Sequence, residues 1–236
     1  MSLIYRRVLL KLSGEALAGQ SGSGIDYEVL YNICKSIKSS VDMGVQMGIV
    51  VGGGNYWRGR SHTMMDRTRA DHIGMLATVM NSLALADALE SQGLHVRVQT
   101  AINMQQIAEP YIRGRAIRHM EKGRVVIFGC GTGNPFFSTD TASALRAAET
   151  DVDILFKATM VDGIYDSDPK KNPHAIRYEE VSFSTVLSDS LEVMDAAAAA
   201  LCRENKIPML LFNICDPENI VRALRGEKIG TIVKED

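Results

Sequence analysis

Three glycine-bearing turns hold the residues of this chain best suited to chemistry, and each follows a short apolar run. Lys11-Leu12-Ser13-Gly14 follows Val8-Leu9-Leu10. Gly52-Gly53-Gly54-Asn55 follows Val45-Gln46-Met47-Gly48-Ile49-Val50-Val51. Gly129-Cys130-Gly131-Thr132-Gly133-Asn134-Pro135 follows Arg124-Val125-Val126-Ile127-Phe128. Glycine lets the backbone take φ > 0 and lets a ligand reach N–H groups with no Cβ in the way. In open α/β sheets, turns leaving the carboxyl ends of strands are where nucleotides and phosphates bind. The three turns together predict a site for phosphorylated ligands.

The side chains near these turns admit a structural and a chemical reading. Lys11 is either an edge-strand lysine snorkelling to water or, with Ser13-Gly14 behind it, a phosphate clamp. Arg58 lies just past the second turn and carries a fork of donors suited to phosphate. The segment from Gly131 to Asp140 offers backbone N–H groups, the hydroxyls of Thr132, Ser138 and Thr139, and the amide of Asn134, just before a helix. It reads as an anion site at a helix N-terminus or as a capped loop. Asp195, before a five-alanine run, and Asp71, before a long apolar pattern, are both positioned as helix caps. Asp162 and Asp166 read as turn formers. No acid has metal-ligand spacing with a histidine, so no dedicated protein metal cage is expected. The chain has no G-x-x-x-x-G-K-[ST] sequence, and Asn134 stands where G-x-G-x-x-G needs its last glycine.

The elements that must position these residues alternate. Strands are predicted at Arg7 to Leu12, Val45 to Val51, His95 to Thr100, Arg124 to Phe128, Asp153 to Lys157, Pro208 to Phe212 and Gly230 to Val233. Helices are predicted at Tyr27 to Met43 with Asp26 as N-cap, Asp71 to Gln92 closed by Gly93, and Arg113 to Lys122. Further helices are predicted at Thr139 to Glu149, Met194 to Asn205 and Pro217 to Arg225. Such βα alternation implies a mostly parallel sheet covered on both faces. Val161 to Pro173 is polar and turn-rich, long enough for a functional loop. The best internal seam is near Val161, so a single domain over 1–236 divides at about 160 into two parts of one site.

The chain has 236 residues, 46% of them hydrophobic, which suits one α/β domain with a sizeable core. Its formal net charge of −2 argues against nucleic-acid binding through a general basic field. Cys34, Cys130, Cys202 and Cys215 form no C-x-x-C pair and read as reduced thiols. No signal-peptide pattern or apolar run of about 18 residues stands out, so a soluble cytoplasmic protein without a membrane span is expected. The predicted helix from Asp71 carries Ile73, Met75, Leu76, Val79, Met80, Leu83, Leu85 and Leu89 around much of its circumference. That is more than one packing face needs, which predicts a homo-oligomer with this helix in an interface.

Several of these segments resemble those of bacterial uridylate kinases, of the amino acid kinase superfamily. They are Lys11 to Leu17, Val51 to Asn55, Arg58-Gly59, Asp71 to Asn81, Gly131 to Asp140, Lys157-Ala158-Thr159, Val161-Asp162-Gly163 and Val193-Met194-Asp195. The similarity runs in order from about Tyr5 to Val233. It implies a three-layer α/β/α sandwich and transfer of the γ-phosphoryl group of ATP to UMP, with Mg²⁺ arriving on ATP. Lys11, Leu12, Ser13, Gly14, Gly54 and Arg58 would contact ATP phosphates, and Thr159, Tyr165 and Asp168 its adenosine. Gly53, Asp71 and the run Thr132, Gly133, Asn134, Pro135, Phe136, Phe137, Ser138 and Thr139 would hold UMP. Asp195 would orient Lys11 or Lys157 by ion pairing. The resemblance further implies a homohexamer activated by GTP, at Gly19, Gln20, Ser21, Gly22, Ser23 and Gly24, and inhibited by UTP. A nicotinamide-dependent oxidoreductase, a catalytically dead nucleotide sensor, and a kinase with an amino-acid or carbamate acceptor are the alternatives to be tested.

Overall fold

The computed structural model describes residues 3–58, 64–167, 169, 171–172, 174–189, 191 and 194–235. Within them one continuous sheet of nine strands runs in the order β4-β3-β5-β2-β1-β6-β8-β9-β7. The strands are β1 (Arg7–Leu12), β2 (Gln46–Val51), β3 (Val96–Thr100), β4 (Glu109–Pro110), β5 (Val125–Gly129), β6 (Ile154–Thr159), β7 (Glu180–Ser182), β8 (Met209–Asn213) and β9 (Thr231–Lys234). All pairings are parallel except β8 with β9. Parallel strands buried on both faces need near-continuous apolar runs, and β1, β2, β5 and β6 have them.

The helices are α1 (Tyr27–Asp42), α2 (Arg67–Glu90), α3 (Arg113–Glu121), α4 (Thr139–Glu149), α5 (Phe183–Ser188), α6 (Ala196–Glu204) and α7 (Asn219–Leu224). One core contains Leu30 and Ile33 of α1, Leu85 and Leu89 of α2 and Ile220 and Leu224 of α7. The other contains Met120 of α3, Ala144 of α4, Phe183 of α5 and Cys202 of α6. The sheet lies between them, so the architecture is a three-layer α/β/α sandwich. Side chains alternate across a strand. Val8, Leu10 and Leu12 of β1 enter the first core, while Leu9 enters the second. Phe156 and Phe212 meet edge to face on adjacent strands with centroids 5.6 Å apart. Burying such a side chain stabilises the fold by roughly 1.5–3 kcal/mol.

Several boundaries differ from expectation. α2 begins at Arg67, because the Asp66 carboxylate accepts from the Arg69 N–H and caps it there. Asp71 is therefore one turn inside the helix and caps nothing. α6 begins at Ala196, with Asp195 as its cap, rather than at Met194. A 3₁₀ helix over Gly14–Ser21, the short strands β4 and β7, and α5 lack a strong periodic signal and were not expected. α2 is long and apolar enough to cross a bilayer by length and composition, with a mean hydropathy of 1.3 over its best window. Half of that window is buried inside the protein.

Candidate active site

The four central strands β5, β2, β1 and β6 are adjacent and parallel, so their carboxyl ends share one edge of the sheet. The chain builds outward from β1 in both directions, through β2 on one side and β6 on the other. This is the topological switch point at which open α/β sheets bind ligands. The first two glycine turns meet there. A Cβ on Gly14 would lie 2.6 Å from the Gly52 carbonyl oxygen and 2.8 Å from the Gly54 nitrogen. Only glycine permits that contact.

Lys11 and Lys157 are register partners on β1 and β6 and occupy the sheet face covered by α4. Two ammoniums side by side repel one another, and each is about nine-tenths buried. Asp140, in the first turn of α4, lies between them. Its Oδ2 accepts from the Lys157 Nζ at 2.5 Å, and its Oδ1 makes an ion contact with the Lys11 Nζ at 2.9 Å. Burial works to raise the Asp140 pKa, but the two lysines outweigh it and hold the carboxyl below its ordinary value. Burial pushes Lys157 down, and Asp140 only partly restores it.

Asp195 was expected to pair with one of these lysines, but Asp140 is the carboxylate in contact with both. Asp195 caps α6 through the Ala198 N–H at 2.8 Å. It also accepts from the Thr141 hydroxyl at 2.8 Å and from the Ser138 hydroxyl. It thereby ties α6 to the N-terminus of α4 and reaches Lys157 only as a nearby charge that supports the protonated amine. Ser138 itself caps α4, accepting from the N–H groups of Asp140 and Thr141.

Beside this cluster lies an open cleft of about 240 Å³. It is lined by Gly53, Gly54, Asp71, Thr132, Asn134, Phe137, Ser138 and Thr139 of the expected residues, and by Trp57, Gly131, Thr78 and Cys130 besides. Gly133, Pro135 and Phe136 belong to the same turn but do not line it. α2 shapes the cleft through two buried polar side chains. The Asn81 amide donates to the Gly52 carbonyl and exchanges hydrogen bonds of 2.9 and 2.7 Å with Asn55. The Thr78 hydroxyl accepts from the Cys130 N–H at 2.9 Å. Asp71 faces the cleft while accepting from Arg67 and from the Phe136 N–H.

The other expected residues are spread along the same sheet edge. The Leu12 side chain is in the core and its carbonyl accepts from the Gly52 N–H. Arg58 pairs with Glu15 at 2.5 Å at the exposed mouth. Thr159 ends β6, and its carbonyl accepts from the Ile214 N–H. The Tyr165 hydroxyl donates to Asp162 at 3.0 Å, and Tyr165 bridges to Arg177. Asp168, Gly59 and Val193 lie outside the described residues. Gly19 to Ser21 end the 3₁₀ helix and Gly22 to Gly24 form the turn after it, in which Gly24 is tied to Asn55 by two hydrogen bonds. Among the described residues, no three His, Cys, Asp or Glu side chains converge in a way suited to a metal ion.

Asp140, Thr78, Asn81 and Arg67 are the polar residues that single-residue reasoning missed. Asp140 stood at the end of the third turn's hydroxyl run, and its partnership needs the β1–β6 pairing, which no local pattern discloses.

The amino acid kinase family model matches residues 6–213. A solved UMP kinase from Bacillus anthracis is 43% identical over 98% of this chain and 97% of its own, with a TM-score of 0.95. A UMP kinase from Ureaplasma parvum is 40% identical over 100% of both chains, with a TM-score of 0.93. A uridylate kinase from Archaeoglobus fulgidus is 30% identical over 96% of this chain and 99% of its own, with a TM-score of 0.74. With its glycine-lined cleft at the switch point of an α/β/α sandwich and a family match over most of its length, the chain belongs to the amino acid kinase family.

Proposed function

We propose that this protein is a nucleoside monophosphate kinase that transfers the γ-phosphoryl group of ATP to UMP, giving UDP and ADP. The observation that carries this reading is the pair of buried lysines held by one carboxylate beside a glycine-lined cleft. Its support from outside the chain is the 40–43% identity to solved UMP kinases.

Phosphoryl transfer asks chiefly for alignment and for neutralisation of charge on the transferring oxygens. Lys11 and Lys157 project cationic donors from adjacent strand ends, and α4 adds the positive end of its dipole, its Asp140 and Thr141 N–H groups being already capped by Ser138. Asp140 keeps both ammoniums in place before substrate arrives. A UMP phosphate oxygen attacks the γ-phosphorus as the bond to the β–γ bridging oxygen breaks, and ADP leaves. The acceptor is already an anion, so the step needs no strong general base. Mg²⁺ would arrive with the ATP substrate and would supply neutralisation of its phosphate charge.

In this reading UMP occupies the cleft between α2 and the Gly131–Ser138 turn, with Asp71 accepting from ribose hydroxyls. A carboxylate offers about four lone-pair positions, so its bonds to Arg67 and Phe136 leave room for more. ATP lies toward β6 and β8, with its phosphates near Lys11, Ser13-Gly14, Gly54 and Arg58 and its adenosine near Thr159, Tyr165 and Asp168. The part of the chain after about residue 160 thus serves the adenosine end of the donor, and the part before it the acceptor together with the ATP phosphates. A homohexamer with GTP as activator, at Gly19 to Gly24, and UTP as inhibitor belongs to the same proposal. The assembly is supported by the exposed line of Leu76, Met80 and Leu83 on α2, at 50%, 49% and 37% exposure.

A coupled ADP-release assay across UMP, CMP, dTMP and acetylglutamate tests the reading. ADP release should depend on UMP and be far weaker with the other acceptors. Release driven by acetylglutamate, or independent of any acceptor, would contradict it.

A further inference from the structure

Arg67 holds no place in the cleft, yet it holds the residue that does. Its Nε donates to both Asp71 oxygens, at 3.0 and 2.9 Å, one helical turn along α2. Its guanidinium also lies over the Phe136 ring, 5.6 Å from the centroid. Phe136 has φ = 72°, a left-handed conformation that costs a non-glycine residue free energy unless its surroundings hold it. Two contacts hold it here: the Phe136 N–H donates to Asp71 Oδ2 at 2.8 Å, and Arg67 covers the exposed ring. Arg67, Asp71 and Phe136 therefore form a closed triangle that pins the Gly131–Ser138 turn to the first turns of α2.

We propose that Arg67 is a positioning residue for the nucleoside monophosphate acceptor. It fixes the Asp71 carboxylate and, through it, the acceptor-side turn, and so sets acceptor affinity without touching the reacting atoms. The inference rests on the proposed function and deepens it. An exposed i, i+4 ion pair contributes little to the stability of a helix, so a purely structural role would leave ligand binding unchanged. A positioning role loosens the cleft on the acceptor side alone.

The test uses the full chain and direct binding, without turnover. Trp57 is the sole tryptophan and lines the cleft, so its emission reports occupancy, with calorimetry as a second readout. Arg67→Gln should raise both the Kd and the KM for UMP about tenfold. The KM for ATP and the turnover at saturating UMP should stay within about twofold. Arg67→Lys keeps the charge but not the planar fork, and should fall between wild type and Arg67→Gln. If Arg67 acts through Asp71, adding Arg67→Gln to Asp71→Asn should change the UMP Kd by less than about twofold. Unchanged UMP affinity in both Arg67 variants, effects additive with Asp71→Asn, or an equal loss of ATP affinity would each overturn the inference. Failure of the wild-type protein to bind UMP would instead overturn the proposed function on which it stands.

Discussion

Replacing Asp140 by Asn removes the charge between Lys11 and Lys157 while keeping the side chain's shape. Two ammoniums, each about nine-tenths buried, would then face one another with no carboxylate in contact, Asp195 acting on Lys157 only as a nearby charge. Breaking a buried pair by removing one partner costs about 3–5 kcal/mol. The protein has an escape, because Lys157 can release its proton. Shedding that proton at pH 7.5, against an ordinary value of 10.5, costs at most about 4 kcal/mol at 1.36 kcal/mol per pH unit. The expected loss is therefore about 3–4 kcal/mol, or about 6–16 °C in thermal midpoint for a chain of this size. The sign of the pH dependence follows from the same shift. Burial already holds the folded pKa of Lys157 below its unfolded value, and losing Asp140 lowers it further. Between the two values the unfolded state binds more protons, so the variant gains stability as pH rises. Its deficit against wild type should shrink between pH 7.5 and pH 9.5. In wild type, the depressed Asp140 pKa contributes stability that is present above the ordinary value of 3.8 and lost as pH falls through the folded value. With both lysines displaced, kcat should fall about 10²-fold or more. Differential scanning fluorimetry across pH and steady-state kinetics measure all three effects. A midpoint within 2 °C of wild type together with kcat within about threefold would refute the argument that Asp140 holds the pair.

Three further outcomes are expected. Asp71→Asn removes a charged acceptor from the cleft wall and should raise the KM for UMP more than that for ATP; a larger rise for ATP would place Asp71 on the wrong side. Hydrogen exchange in the segment from Val161 to Pro173 should slow when a non-hydrolysable ATP analogue binds and slow less with UMP, whereas equal protection by UMP alone would argue against a donor-side loop. Met80→Glu puts a charge on the exposed apolar line of α2 and should shift light scattering toward smaller species, and a wild-type monomer at micromolar concentration would remove the assembly from the account.

The layered sheet was legible because parallel strands buried on both faces must be apolar throughout. The runs from Val8 to Leu10 and from Val125 to Phe128 met that demand. The glycine turns were legible because strand ends without Cβ atoms have few other uses. What stayed hidden was relational. Asp140 sits in a hydroxyl-rich run that already explained itself as a helix start, and only the lateral pairing of β1 with β6 brings two lysines to it. The same hydroxyl run hid the binding of Asp195 to Ser138 and Thr141, so its cap role showed while its lysine partnership was misassigned. The start of α2 moved to Arg67 because Asp66 competed successfully with Asp71 as the cap. β4 and β7 are two and three residues long, too short for any alternation to register.

The central claim is that Lys11 and its partners move a phosphoryl group from ATP to UMP. The most direct measurement is a quenched reaction with γ-labelled ATP and UMP, run with wild type and with Lys11→Ala that has been checked to be folded. Label should appear in UDP with wild type, and its rate of appearance should fall about 10²-fold or more in the variant, the loss expected for a major electrostatic stabiliser. Label that reaches only inorganic phosphate, or a folded Lys11→Ala protein that forms UDP at close to the wild-type rate, would contradict it.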